Sequence, residues 1–149
     1  MKALVQRVRR GSVTINGERS AEIGPGFVVL LGVRQDDTDE SAHHLAEKTV
    51  NLRIFADEQG KMNKSLIDTC GQVLVVSQFT LYADTSRGNR PSFVQAAPPQ
   101  EAERLYGLYT GHLRRLLGDE RVATGVFRTM MTVEIINDGP VTIELSSDR

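Results

Sequence analysis

The sequence predicts an α+β fold: a strongly bent, mainly antiparallel β-sheet or barrel covered by two helices. Three observations predict it. Short apolar, β-branched runs dominate the chain. Turn signals such as Asn16-Gly17 and Gly24-Pro25-Gly26 separate those runs. Two amphipathic helical stretches are placed between the strands, which dominate, the arrangement of an α+β fold. With 149 residues and 40% hydrophobic content, residues 1–149 read as a single domain around one core.

Leu4–Val8 reads as a strand, followed by Ser12–Ile15 and a return strand, Arg19–Ile23. Phe27–Val33 is continuously apolar and β-branched between glycines, the pattern of a fully buried strand. A helix follows, capped by Asp37 or Thr38, with Asp39 and Glu40 in its positive first turn and Ala42, Leu45, Ala46, Thr49, Val50 and Leu52 at helical spacing. Arg53–Phe55 suggests a short strand, Asp57–Lys61 a turn, and Met62–Leu66 is ambiguous. Gln72–Tyr82 reads as one long strand centred on Val73–Val76, and Asp84–Pro91 as a polar loop. A second helix starts near Pro98-Pro99 and ends at Gly118, with Arg114 and Arg115 near its C-terminus. Gly107 and Gly111 weaken it by about 1 kcal/mol each relative to alanine, a cost that close packing on the sheet would explain. Met131–Ile136 and Val141–Leu145 form a closing hairpin, because Asp138-Gly139 suits a tight turn with positive φ and Pro140 then fixes its own φ.

Composition narrows the function. The net charge of −1 gives no whole-molecule field toward nucleic acid, so an RNA partner must be gripped locally. Arg7, Arg9, Arg10, Arg87 and Arg90 are the candidates. Cys70 is the one cysteine, which excludes an internal disulfide and a multi-cysteine zinc site; with no signal-peptide-like start and no apolar run near ~18 residues, a cytoplasmic location is expected. Cys70 reads as a buried, inert thiol. His43, His44 and His112 all fall on predicted helices, and the adjacent pair points apart, so no metal site is expected. No Gly-x-Ser-x-Gly elbow or phosphate-cradling loop occurs, so any catalysis here uses neither a standard triad nor a metal.

What remains is the segment Ser77-Gln78-Phe79-Thr80-Leu81, where an apolar strand turns polar. As a strand it puts Ser77, Phe79 and Leu81 on one face and Gln78, Thr80 and Tyr82 on the other. Hydroxyls and an amide there can orient an ester and a water, and unpaired strand-end N–H groups can stabilise an oxyanion. Together with Asn137-Asp138-Gly139-Pro140-Val141-Thr142, this segment resembles the two signature motifs of the D-aminoacyl-tRNA deacylases. Leu4–Val8, Gly60–Asn63 and Arg87–Phe93 agree in order and position, so the resemblance runs from the first strand to the last hairpin; Gly118–Thr129 agrees least.

The resemblance implies a homodimer with active sites at the interface, a tRNA substrate charged with a D-amino acid, and no cofactor. It implies a cis Gly139-Pro140 bond whose motif reaches into the partner's pocket. It maps Ser77, Gln78, Phe79 and Thr80 to that pocket as catalytic residues, Arg7 to the brace of the Gly-Pro loop, Met131 to a place near the pocket, and Asn137 to the selecting motif. Two roles are open to Thr80, nucleophile or positioning group, and the lack of a base partner favours positioning. Two other function classes stay open: a non-catalytic RNA-end or protein-interaction module, and an esterase for small molecules that ignores tRNA.

Overall fold

The computed structural model describes residues 1–148. Its backbone is strand β1, Lys2–Ile15, which runs as one continuous strand rather than two. Gly11 is what allows this: a Cβ there would lie 2.5 Å from Val28 Cγ2, so only a bare α-carbon lets the strand bend over its neighbour. The Asn16-Gly17 turn has positive φ at both residues (50° and 79°), as the dipeptide predicts. It leads into β2, Glu18–Ile23, which pairs with the distal half of β1, while β3, Gly26–Gly32, pairs with the proximal half, both antiparallel. β6, Gln72–Ser77, lies parallel to β3, and β7, Val122–Thr124, lies parallel to β6. β7 lies within Gly118–Thr129, where no strand is predicted. A small antiparallel pair, β4 (Phe55–Ala56) and β5 (Met62–Lys64), stands apart.

The closing hairpin is overturned. Thr132–Ser146 is a single strand, β8, antiparallel to β1 along almost its whole length. Both halves pair with β1 instead of with each other. Gln6 faces Thr142 and Val8 faces Asn137, so residues 138–141 form a large bulge opposite Arg7. The result is a nearly closed, barrel-like, mainly antiparallel sheet.

Alternation along β3 and β6 sorts two cores. Phe27, Val29, Leu31, Val73 and Val75 join Met1, Ala3 and Val5 under the helices α1 (Asp39–Asn51) and α3 (Pro99–Leu117). Val28, Leu74 and Val76 point the other way and meet Val8, Val13 and Ile23. Fully burying a residue such as Phe27 contributes about 1.5–3 kcal/mol. Thr38 caps α1 through a reciprocal box with Ser41, Pro99 opens α3 and Gly118 ends it. Tyr109 of α3 is fully buried, and its hydroxyl is 2.8 Å from Thr49 Oγ1 of α1.

Three further expectations fail. A third, one-turn helix, α2 (Leu66–Thr69), joins the two expected, and the ambiguous Met62–Leu66 segment is strand β5 leading into it. Cys70 is its left-handed C-cap and is exposed rather than buried. Gly107 and Gly111 would place a Cβ in open space, so close packing does not explain them. Among the described residues, no helix is long and apolar enough to cross a membrane.

Candidate active site

The polar end of β6 is not a strand. Parallel pairing with β3 runs out at Leu31–Ser77, and the Gln78 N–H makes the last bond of the series to the Leu31 carbonyl, 2.8 Å. The chain then coils into a 3₁₀ turn, Phe79–Tyr82, in which Leu81 N–H donates back to the Gln78 carbonyl (3.3 Å) and Ala83 N–H to the Thr80 carbonyl (3.1 Å). The expected alternation of Ser77–Tyr82 between two faces is therefore wrong. Gly32 lets the turn pack closely on β3: a Cβ there would sit 3.1 Å from Leu81 Cβ and 3.2 Å from the Gln78 carbonyl oxygen.

This change of geometry alters what the segment offers chemically. The Phe79 and Thr80 N–H groups open the turn ahead of its first internal bond, so the helix itself leaves them without a partner. Two such neighbouring amides can hold an oxyanion. The Gln78 side-chain amide donates to Thr80 Oγ1, which fixes the hydroxyl. Phe79 is 55% exposed, an unusual position for so large a ring, and packs edge-on against Phe93 with centroids 5.0 Å apart. Tyr82 closes the turn from inside. Its hydroxyl is buried without a partner among the described residues, and burial pushes its pKa up, so it stays protonated. Met131 packs into the second core with Val76; its Sδ would lie 2.8 Å from a Cβ at Gly125, whose N–H donates to the Val75 carbonyl.

The bulge carries the other predicted residues. Its Gly139–Pro140 peptide bond is cis, Gly139 has φ +128°, and both residues are exposed. Arg7 braces it. Nε donates to the Asp138 carbonyl (3.0 Å) and Nη1 to the Ile54 carbonyl (2.6 Å), with the Arg7 side chain 15% exposed. Asn137 spans the bulge from within: Oδ1 accepts from Val141 N–H and Nδ2 donates to Thr142 Oγ1, both at 3.1 Å. Arg9 adds an exposed ion pair to Asp138 at 3.2 Å, worth little on its own in water.

One chain does not bring these two groups together. The bulge lies opposite Arg7, Arg7 pairs with Phe27, and Phe27 pairs with Val73. Ser77 is four residues further along β6. Three strand spacings and four residues of rise, ~4.8 and ~3.3 Å each, make a path of about 20 Å along the sheet from the loop to Ser77. Ser77, Gln78, Phe79, Thr80 and Met131 share one end of the sheet. Arg7, Asn137, Gly139 and Pro140 share another place.

The histidines stand aside. His43 and His44 lie on α1 and His112 on α3, where the His43 and His112 rings stack at 4.9 Å. No hydrogen bond joins them to Ser77–Thr80 among the described residues. There too, no group of three or more His, Cys, Asp or Glu side chains could hold a metal ion. Residues that sequence reasoning missed are Gly32, Phe93 and the Ile54 carbonyl. Phe93 was legible only as part of a matching stretch, and a main-chain acceptor leaves no sequence signal.

Residues 4–146 match the family model described as D-Tyr-tRNA(Tyr) deacylase. The chain is 58% identical over 149 residues to the D-aminoacyl-tRNA deacylase of Dehalococcoides mccartyi (strain CBDB1), covering 99% of this chain and 95% of that one. It is 56% identical over 147 residues to the enzyme of the same name from Roseiflexus sp. (strain RS-1), covering 99% and 94%. Among solved structures, one described as c-Myc DNA Unwinding Element Binding Protein superposes with a TM-score of 0.96 at 46% identity over the whole of both chains. Another, described as a probable eukaryotic D-amino acid tRNA deacylase, superposes at 0.84 with 20% identity over 97% of each chain, a likeness of fold alone.

Proposed function

The chain belongs to the D-Tyr-tRNA(Tyr) deacylase family, and from that membership we propose that residues 1–149 act as one cytoplasmic deacylase domain. It needs no metal or organic cofactor. It hydrolyses the ester between a D-amino acid and the 3′-terminal adenosine of a mischarged tRNA, and so keeps translation homochiral. The observation that carries this reading is the pair of first-turn amides at Phe79 and Thr80 beside an exposed aromatic ring, on a chain that matches the family almost end to end.

An aminoacyl ester is already activated, so positioning and oxyanion stabilisation suffice. The ester carbonyl oxygen lies against the Phe79 and Thr80 N–H groups. A water attacks the carbonyl carbon, the tetrahedral oxyanion is held by those amides, and the bond to the ribose oxygen breaks as that oxygen takes up the proton the water has given up. The neighbouring 2′-hydroxyl of the tRNA assists. Thr80, held by Gln78, orients these groups rather than attacking. Replacing Thr80 by alanine should keep the single-turnover rate within about tenfold, whereas loss of a true nucleophile costs on the order of 10³-fold or more. A drop of that size would reinstate the nucleophile.

Chirality is sorted by collision. The Gly139–Pro140 loop of a second subunit supplies a main-chain wall beside the Ser77–Thr80 end, with no side chain to swing away. An L side chain meets this wall and a D side chain points outward. The test is hydrolysis of matched D- and L-aminoacyl-tRNA, with and without chelator. The D ester should be cleaved, the L ester spared, and chelator without effect. Glycyl-tRNA, which has no side chain to exclude, should be cleaved partially; a wholly intact glycyl ester at high enzyme would end the exclusion account. A nucleic-acid-binding module without catalysis, the reading that the description of one structural neighbour favours, predicts binding without turnover in the same assay.

A further inference from the structure

We infer that the β4–β5 hairpin is a buttress for the Gly139–Pro140 loop, and that Phe55 is a positioning residue for the choice between D and L substrates. This deepens the proposed function and rests on it. The connecting member is the Arg7 guanidinium, which donates to the Asp138 carbonyl on one side and to the Ile54 carbonyl on the other. A guanidinium is planar and its N–H directions are fixed. The carbonyl at 54 therefore sets where the group sits, and the group sets where the chain at 138 sits.

Ile54 is held in turn. It is 4% exposed in the helix-side core, and the next residue, Phe55, stacks face to face on Phe27 with centroids 5.0 Å apart and planes 12° apart. Phe27 is fully buried and is the strand partner of Arg7. Arg7, Ile54, Phe55 and Phe27 thus form a closed circuit, whose four links are the guanidinium hydrogen bond, a peptide bond, the ring stack and strand pairing. The far side of the hairpin is pinned as well. Asp57 accepts from the N–H groups of Gln59 (2.9 Å) and Lys61 (3.0 Å), and Arg53 Nε donates to the Asn63 carbonyl (3.0 Å). None of these residues hydrogen-bonds to Ser77–Thr80 among the described residues, so an effect of the hairpin on substrate choice must pass through the loop.

Phe55→Leu removes the flat ring but keeps most of the apolar volume, and Phe55→Ala removes both. Two readouts decide. The first is the ratio of single-turnover rates on matched D- and L-aminoacyl-tRNA. It should fall about tenfold in Phe55→Leu, mainly through faster L-ester cleavage, as a displaced wall ceases to exclude. The second is the Nε–H NMR resonance of Arg7, read without substrate, which should shift or broaden in both variants. A lower melting temperature alone, with either readout left at its parental value, overturns the inference. A parent that fails to distinguish D from L esters sinks the proposed function instead, and the Arg7 resonance then still decides whether the hairpin holds the brace.

Discussion

Replacing Gly139 by alanine is expected to lower D-aminoacyl-tRNA hydrolysis about 100-fold while the protein stays folded. Two independent constraints meet at this residue. Its φ of +128° lies where an L side chain is strained. An added Cβ would also stand 2.9 Å from Val141 Cγ2, 3.0 Å from Arg7 Nη2 and 3.2 Å from Val141 N. These neighbours are held, the Val141 side chain by packing against the helix-side core. The Val141 N–H is tied to Asn137 Oδ1, and the guanidinium is tied to the Ile54 carbonyl. The main chain must therefore move away from Val141 and Arg7, into the facing pocket rather than back from it, where it obstructs the D ester as well; a displacement near 1 Å there costs on the order of 10²-fold in rate. The fold survives because the loop is an exposed bulge whose flanks stay paired with β1. A strained backbone residue costs about 1–3 kcal/mol, a few degrees of melting temperature in a chain of this size. Single-turnover kinetics beside a thermal melt check the expectation. A rate within a few-fold of the parent, with D preference intact, would remove Gly139 from the selecting wall.

The elements legible in the sequence are those fixed by local chemistry. Thr38 caps α1 because a short hydroxyl satisfies a first-turn N–H, whatever the rest of the chain does. Asn16-Gly17 turns because both residues tolerate positive φ. The errors arise where a distant partner decides. Val73–Val76 continues into Phe79 and Leu81 with a plausible strand alternation, but a strand needs a neighbour, and β3 stops at Gly32. The chain coils instead, and this is what frees the Phe79 and Thr80 amides. Asp138-Gly139 carries a strong hairpin signal, yet each flank finds a better partner in β1, 118 to 144 residues away in the chain, and the dipeptide becomes a bulge. For the site, Ser77–Thr80 and Gly139-Pro140 were legible only through resemblance to a family. Their separation in one chain depends on strand order and register, which periodicity does not encode.

That separation leads to the second large effect: two inactive variants should restore each other. Within a chain the path along the sheet from the loop to the Ser77–Thr80 end is about 20 Å, several times the span of one aminoacyl ester, so under the proposed function a site that uses both is built by two chains. The Gly139→Ala variant spoils the wall. Phe79→Pro spoils the other half by deleting the Phe79 N–H, and proline suits the first position of the turn, which follows a non-helical Gln78 (φ −143°, ψ 81°). Each variant alone should retain no more than about 1% of parental activity. In a two-fold dimer formed at random from equal amounts, half the dimers are mixed, and each mixed dimer holds one intact site: the wall of the Phe79→Pro chain against the amides of the Gly139→Ala chain. Co-refolded mixtures should therefore recover about a quarter of parental activity, with Phe79→Ala alone reporting the contribution of the ring. Activity equal only to the sum of the two variants, in a mixture shown to contain mixed dimers, would mean that each chain completes its own site. The loop would then have to cross the sheet to reach it, and the bulge braced by Arg7 and Asn137 could not be the selecting wall.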